Sequence, residues 1–186
     1  MEGKGRITGH TGLLALIGSP VGHSGSPAMY NYSFEKLGLD YAYVAFDIKV
    51  EEVKAALDAM RLFHMRGCNV TMPCKTEAAK YMDELSPAAR IIGAVNTIVN
   101  EDGKLIGHMT DGEGFVGNLR DHGIEIKGKK ITVAGGGGAA TAIQVQCALD
   151  GAREISIFNI KDDFFERTLE TAEKIRKEVP GIVVNV

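Results

Sequence analysis

The sequence predicts an α/β fold with mostly parallel sheets, divided into two domains. Short apolar runs of strand length alternate with helical segments along all 186 residues. A run of four glycines, Gly135 to Gly138, follows one such strand and opens a helix. Apolar residues make up 45% of the chain, which is enough to bury a core. We place the domain boundary at Asp111, so that the domains cover residues 1–110 and 111–186.

The first domain is predicted from apolar runs and from residues typical of helix ends. Residues 13–17 are all apolar and end at Gly18-Ser19-Pro20, which is typical of a buried strand that enters a loop. Ser26 as N-cap and Pro27 in the first turn begin a helix that ends at Gly38. The other predicted elements are strands at 41–46 and 68–70, helices at 51–63, 76–82 and 87–92, and a hairpin of 94–99 with 105–108.

The second domain is predicted as a βαβαβ unit preceded by a helix. The helix covers residues 111–122. The unit consists of strands at 131–134, 155–158 and 182–186 and helices at 139–149 and 162–177. This is the first half of a Rossmann domain, so the second domain is predicted as a partial one.

Charge and composition exclude several classes of protein. The net charge is −3, with 21 basic and 24 acidic residues, so we expect no nucleic-acid partner. The longest apolar runs are far shorter than a bilayer span, and we expect no membrane partner. The three cysteines, Cys68, Cys74 and Cys147, form no metal-spaced pairs. We therefore expect no metal site, a reducing cytoplasmic location and buried thiols.

The glycine loop predicts a dinucleotide site. A helix N-terminus offers unpaired N–H groups to a phosphate, and glycines let the phosphate approach the backbone. Gly135, Gly137 and Ala140 fit the GxGxxA form of the dinucleotide pattern, and a tight turn is the alternative. The predicted pyrophosphate-binding residues are Gly135, Gly136, Gly137, Gly138 and Ala139.

The segment after the second strand of this unit is where the adenosine ribose is expected. Asn159, Lys161 and Asp162 are the predicted cofactor-binding residues there. The segment contains no arginine to pair with a 2′-phosphate, and its acidic residues favour a free 2′-hydroxyl. NAD is therefore favoured over NADP, although the acids could instead begin the next helix.

Polar clusters lie at four predicted strand ends of the first domain. They are Ser24 to Pro27, Asn69 to Lys75, Asn96-Thr97 and Thr110 to Gly112. Any one of them could be a helix cap, a hairpin residue or a solvated helix start. Because loops at one edge of a sheet converge, the four together predict a site for a small polyhydroxylated acid.

These motifs resemble those of the shikimate dehydrogenase family, most closely its quinate/shikimate branch. The matching stretches are Gly22 to Pro27, Asn69-Val-Thr-Met-Pro-Cys-Lys75, Gly93-Ala-Val-Asn96-Thr97, Thr110-Asp111-Gly112, the glycine loop and Phe158-Asn159. The resemblance implies a substrate domain followed by an NAD(P)-binding domain, with the active site between them. It implies an oxidoreductase of shikimate or quinate, working as a monomer or homodimer with a small-molecule substrate.

The resemblance also implies individual roles. Ser24 and Ser26 would bind the substrate carboxylate, and Thr71, Asn96 and Asp111 would hold its ring hydroxyls. Lys75 and Asp111 would form the catalytic pair, with Lys75 exchanging the hydroxyl proton.

The sequence departs from the family pattern at three points. Gly136 stands where family members have alanine, Ile160 stands where an arginine is common, and family chains are longer by roughly half. On that last ground we expect a lone 186-residue chain to be unstable or inactive. There are two alternatives to a shikimate or quinate oxidoreductase. One is a relative that binds a hydroxy acid without turnover, and the other is a Rossmann enzyme that acts on another small acid.

Overall fold

The structure is a computed structural model that describes residues 7–161 and 165–186. The chain divides into two compact units, of which the first extends to Leu85 and includes Ala94–His108. The second consists of Ser86–Gly93 and Met109–Val186. The elements in chain order are β1 (Gly12–Gly18), α1 (Ser26–Leu37), β2 (Tyr41–Asp47), α2 (Val53–Leu62), β3 (Gly67–Val70), α3 (Lys75–Ala79), β4 (Glu84–Leu85), α4 (Pro87–Ile92), β5 (Thr97–Glu101), β6 (Lys104–His108), α5 (Asp111–Asp121), β7 (Lys130–Ala134), α6 (Gly138–Leu149), β8 (Glu154–Phe158), α7 (Phe165–Glu178) and β9 (Val183–Asn185).

The first unit is built on a mixed sheet with the strand order β2-β1-β3-β5-β6-β4. β1 runs parallel to β2 and β3, whereas β5 is antiparallel to β3 and β6. Thr97, at the start of β5, lies opposite Asn69 of β3 and His108 of β6. The beginning of β5 therefore lies at the same edge of the sheet as the ends of β3 and β6.

The apolar run at residues 13–17 forms an interior strand of this sheet, and both faces of the strand are covered. Leu16 packs in a cluster with Phe34 of α1 and Tyr43 of β2. On the other face, Leu13 and Met60 of α2 line one apolar groove. The continuous apolar pattern thus follows from burial on both sides, as in parallel sheets generally.

The helices of the first unit differ slightly from the prediction. Gly38 ends α1 in the left-handed conformation, as predicted, and its N–H donates to the carbonyls of Phe34 and Glu35. The helix predicted at 51–63 is a 3-10 turn, Val50–Glu52, followed by α2. α3 is shorter than the predicted helix at 76–82, and the short β4 was not predicted.

The second unit contains the parallel sheet β7-β8-β9, in which α6 connects the first two strands along the chain. It also contains α4, which the predicted boundary assigned to residues 1–110. α4 packs on α6 and α7, and Arg90 of α4 pairs with Glu178 of α7 at 3.1 Å. The predicted boundary is therefore wrong for Ser86–Gly93, because helix packing rather than chain order decides to which unit this segment belongs.

Cys68, Cys74 and Cys147 are free thiols and all are buried, which confirms the prediction of buried thiols. In the two described ranges, no helix has both the length and the apolar surface that crossing a bilayer requires.

Candidate functional site

The loop after β1 carries Ser24 and Ser26, which are predicted to bind the substrate carboxylate. The loop is held beside β2, because the Val21 N–H donates to Asp47 Oδ2 over 3.3 Å. The prediction that Ser26 caps α1 is wrong, since Gly25 is the N-cap and Ser26 is already the first residue of the helix. The Ser24 hydroxyl instead accepts from the Ser26 N–H at 3.2 Å.

The loop after β3 carries Thr71 and leads directly into Lys75, the first residue of α3. The Thr71 N–H donates to the Ile17 carbonyl of β1 at 2.9 Å, and the Thr71 carbonyl accepts from the Cys74 N–H at 3.0 Å. The carbonyl of Lys75 accepts from the Val95 N–H at 3.0 Å. Backbone hydrogen bonds therefore fix both ends of this loop, and both side chains are half-buried.

Asn96 precedes β5 rather than following a strand, in contrast to the predicted position. The antiparallel orientation of β5 nevertheless brings it to the carboxyl end of β3. Its N–H donates to the His108 carbonyl at 2.9 Å, and its carbonyl accepts from the Val70 N–H at 2.8 Å. Thr71, Lys75 and Asn96 thus lie at one edge of the first sheet.

Two residues that were not predicted as site residues, Tyr43 and Asn69, lie beneath this edge. The Tyr43 hydroxyl donates to Asn69 Oδ1 at 2.8 Å. Asn69 Nδ2 donates to the Asn96 carbonyl at 3.4 Å and to Thr97 Oγ1 at 3.2 Å. Asn69 belongs to a matched motif, whereas Tyr43 has no sequence signal that separates it from an ordinary core aromatic.

Burial changes the acidity of the Tyr43 hydroxyl. Tyr43 is 3% exposed. Its desolvation, and to a smaller extent the neighbouring Tyr30 and Cys68, raise its pKa well above the usual value. The hydroxyl therefore keeps its proton to a higher pH than an exposed tyrosine does, and it remains a hydrogen-bond donor there.

The glycine loop lies between β7 and α6 in the second unit. Gly135 has a φ of +114° and its N–H donates to the Phe158 carbonyl at 2.7 Å. From α6, Gln144 Nε2 donates to the Gly135 carbonyl at 2.9 Å. Thr141 Oγ1 donates to the Gly136 carbonyl at 3.3 Å. The loop carbonyls are therefore turned towards α6.

The start of α6 fits a phosphate group. Gly137 is the N-cap, so the N–H groups of Gly138, Ala139 and Ala140 have no acceptor within the helix. A Cβ atom added at Gly137 or Gly138 would meet open space. Free N–H groups, the positive end of the helix dipole and an open approach together suit a pyrophosphate.

Gly136 is required for a different reason. A Cβ atom at this position would overlap Thr168 Oγ1 and would lie 2.9 Å from Asn159 Nδ2. Thr168 is 1% exposed, so it has no open space to move into. The glycine that departs from the family pattern is therefore packed against α7.

The predicted ribose-binding residues follow β8. Asn159 is half-buried beside Gly136. Lys161 is exposed, with its amine 5.9 Å from the centre of the Phe165 ring. Asp162 lies outside the described residues.

Asp111 is the exposed first residue of α5. The next residue, Gly112, packs against α6, because a Cβ atom there would overlap the Ala142 carbonyl oxygen and lie 2.7 Å from Gln146 Cβ. Close packing of Gly112 thus fixes the position of the first turn of α5 against α6. Lys75 belongs to the first unit and Asp111 to the second, and their pairing stays a prediction.

Comparison with known sequences gives a family match that covers most of the first unit and Ser86–Gly93 of the second. The family model of the shikimate dehydrogenase substrate binding domain matches residues 16–98. A curated relative is shikimate dehydrogenase (NADP(+)) of Listeria monocytogenes serotype 4b (strain F2365). It is 55% identical over 173 residues, which are 93% of this chain and 60% of the relative.

Solved structures extend the likeness to both units. The crystal structure of shikimate 5-dehydrogenase from Listeria monocytogenes in complex with shikimate and NAD matches with a TM-score of 0.93 and 52% identity. The match covers 97% of this chain and 62% of that one. The ligand-free 5-ketofructose reductase of Gluconobacter sp. strain CHM43 matches with a TM-score of 0.87 and 31% identity, over 96% of this chain and 62% of that one.

These matches confirm the predicted α/β fold with a mostly parallel sheet. The chain spans about three fifths of the length of the relatives it matches, at 60% and 62%. High identity, the family model and the shared fold agree with one another. Over most of its length, the chain is thus similar to members of the shikimate dehydrogenase family.

Proposed function

We propose that this chain carries the substrate site and part of the cofactor site of an enzyme that oxidises a ring hydroxyl of shikimate to a ketone, with a nicotinamide dinucleotide as the cofactor. The observation that carries this proposal is the convergence of Thr71, Lys75 and Asn96 at one sheet edge, in a chain 55% identical to a shikimate dehydrogenase. A hydroxyl, an amine and an amide in one place suit a ligand that itself carries several hydroxyls.

Each predicted residue has a role that follows from its chemistry. Ser24 and Ser26 donate hydrogen bonds to the substrate carboxylate from the loop after β1. Thr71 and Asn96 hold the ring hydroxyls from the edge of the first sheet, and Asp111 holds one from the start of α5. These groups orient the substrate so that only one hydroxyl can react.

Oxidation of a secondary alcohol removes a hydride from carbon and a proton from oxygen. A bound nicotinamide supplies the hydride acceptor. Lys75 accepts the hydroxyl proton, and Asp111 orients the amine and the reacting hydroxyl. The products are the ketone, the reduced cofactor and a proton released to solvent.

The glycine loop is the proposed pyrophosphate site, with the N–H groups of Gly138 and Ala139 as donors. We propose NAD as the preferred cofactor, because the exposed Ile160 follows Asn159 and cannot pair with a 2′-phosphate. The names of the relatives support either cofactor, since one reads NADP(+) and the solved complex contains NAD. Titration of the protein with both cofactors tests this preference, and tighter binding of NADP would overturn it.

The activity is tested by absorbance of the reduced nicotinamide, with shikimate and quinate as substrates. Shikimate and quinate differ by one hydroxyl and ring unsaturation, and a pocket rejects an added hydroxyl only modestly. We therefore expect reduction with shikimate and a weaker reaction with quinate. 5-Ketofructose belongs in the same panel, because a reductase of that sugar is 31% identical to this chain. Shikimate binding without reduction would favour a binding protein over an enzyme.

The role of Lys75 is tested by Lys75→Ala. We expect kcat to fall by about 100-fold or more, the usual contribution of a general base, with no change in cofactor affinity. Lys80→Ala is the matched control, because Lys80 lies just beyond the same helix and pairs at 2.6 Å with Glu77. Near-normal turnover by Lys75→Ala would refute the proton-transfer role.

A further inference from the structure

We propose that Tyr43 is a positioning residue for this site, acting through Asn69 on Asn96 and Thr97. The inference rests on the proposed function, because it concerns the edge that would hold shikimate. Tyr43 itself lies in the core of the first unit and is 3% exposed. Its hydroxyl is the first member of a chain of hydrogen bonds that ends at Asn96.

Which group donates and which accepts in this series of hydrogen bonds follows from the chemistry of the groups. The Asn96 carbonyl can only accept, so the group of Asn69 that faces it must be the Nδ2 amide, 3.4 Å away. Asn69 Oδ1 then faces Tyr43, and the Tyr43 hydroxyl must be the donor, at 2.8 Å. The pKa of this hydroxyl is raised by burial, so the donor role persists above the pH at which an exposed tyrosine ionises.

Tyr43 is itself held on two sides, so it can serve as a fixed reference. The Asn31 side chain of α1 bonds to both backbone groups of Tyr43, accepting from its N–H at 3.0 Å and donating to its carbonyl at 2.7 Å. The ring of Tyr43 stacks on that of Tyr30 with centres 4.5 Å apart. The hydroxyl therefore has one position relative to the sheet.

The consequence for Asn69 is a single orientation of its amide. Without the Tyr43 hydroxyl, Oδ1 would lose its donor and the amide could rotate away from Asn96 and Thr97. Asn96 would keep its backbone bonds to Val70 and His108 but would lose the bond from the Asn69 side chain. The effect is expected on substrate affinity and not on the chemical step, because the Tyr43 hydroxyl donates to Asn69, whereas the proposed proton acceptor is Lys75.

The first test is Tyr43→Phe, with Tyr30→Phe as the matched control that removes a hydroxyl from the other ring of the stack. The probe is the pair of Asn69 side-chain amide signals in proton–nitrogen NMR spectra, identified by their loss in Asn69→Ala. We expect these signals to shift and broaden in Tyr43→Phe and to stay in place in Tyr30→Phe. Unchanged Asn69 signals in Tyr43→Phe would overturn the proposal.

The second test separates KM from kcat. Tyr43→Phe is expected to raise the KM for shikimate roughly tenfold, the change that loss of about one hydrogen bond produces, with kcat and the cofactor KM unchanged. Asn69→Ala should raise it at least as much, and the double variant no further. An equal fall in kcat would contradict a purely positioning role.

The two proposals fail in different ways. If the unaltered protein does not oxidise shikimate, the proposed function fails, while the Asn69 signals still decide whether Tyr43 orients the amide. If Tyr43→Phe does not fold, hydrogen exchange of the Asn69 side-chain amide in the unaltered protein decides instead. Slower exchange than that of the exposed Asn118 supports the proposal, and equally fast exchange overturns it.

Discussion

The two units build their candidate sites by opposite means. In the first unit, side-chain hydrogen bonds fix the edge of the sheet that carries the candidate site. Tyr43 donates to Asn69, and the Asn31 side chain bonds to the backbone of Tyr43 in β2. In the second unit, the missing side chains of Gly112 and Gly136 let backbone and neighbouring groups come close. The first site should therefore be sensitive to the removal of a single oxygen atom. The second should be sensitive to the addition of a single methyl group.

The largest expected effect is in the second unit, for Gly112→Ala. The new methyl group would overlap the Ala142 carbonyl oxygen, which belongs to the rigid backbone of α6. We expect a loss of about 3 kcal/mol in the free energy of unfolding, at the upper end for overpacked sites. Urea unfolding of the chain measures this loss.

Gly114→Ala is the matched control on the same helix. A Cβ atom there meets open space, and alanine is a better helix former than glycine. The control should therefore stabilise the protein, by about 0.5–1 kcal/mol. Equal effects of the two variants would show that the close approach of α5 to α6 does not limit this position.

A smaller effect is expected for Gly136→Ala, because the overlapped group is the Thr168 side chain and not the backbone. We expect a loss of about 2 kcal/mol, together with weaker cofactor binding. Thr168→Ala in the same background should recover part of the stability, since it removes the overlapping Oγ1 atom. Strictly additive effects would contradict the proposed clash.

Gly137→Ala separates packing from cofactor binding. A Cβ atom at Gly137 has open space around it, so the variant should keep the stability of the unaltered protein. If a pyrophosphate approaches the loop as proposed, the added methyl group should still weaken cofactor binding. Unchanged cofactor binding by this variant would argue against the loop as the phosphate site.

Local patterns predicted most of the fold. The apolar strand β1, the end of α1 at Gly38 and the glycine loop before α6 each follow from a few adjacent residues. Ser26 was misplaced because the helix already includes it, and a cap cannot be located to one residue from composition alone. The segment Ser86–Gly93 was assigned to the wrong unit because its partners, α6 and α7, lie far along the chain.

The candidate site was predictable only in part. The motifs named Thr71, Lys75 and Asn96, and the structure brings these three to one edge. The hairpin that contains β5 was predicted, but its antiparallel pairing with β3, which places Asn96 there, could not be inferred from strand alternation alone. Tyr43 was missed because a buried tyrosine in a strand has the sequence pattern of any core aromatic. The substrate and catalytic roles of all these residues stay predictions.

The smallest effect is a pH dependence in the first unit that isolates the Tyr43 hydroxyl. Its pKa is raised in the folded protein, so above about pH 10 the unfolded chain loses this proton while the folded protein keeps it. The stability that the hydroxyl contributes, about 1 kcal/mol, is complete below that pH and is lost as pH rises. The loss proceeds at up to about 1.4 kcal/mol per pH unit.

Urea unfolding of the unaltered protein and of Tyr43→Phe between neutral pH and about pH 11 measures this dependence. Burial also raises the pKa of the Cys68 thiol, to about 12, but that group is present in both proteins and cancels in the difference. The stability of the unaltered protein should therefore fall towards that of Tyr43→Phe as the pH increases. Parallel curves would mean that the hydroxyl ionises as readily in the folded protein as in the unfolded chain. The Tyr43 hydroxyl would then not be desolvated in the way that its burial predicts, and the pH dependence would not distinguish the first unit from the second.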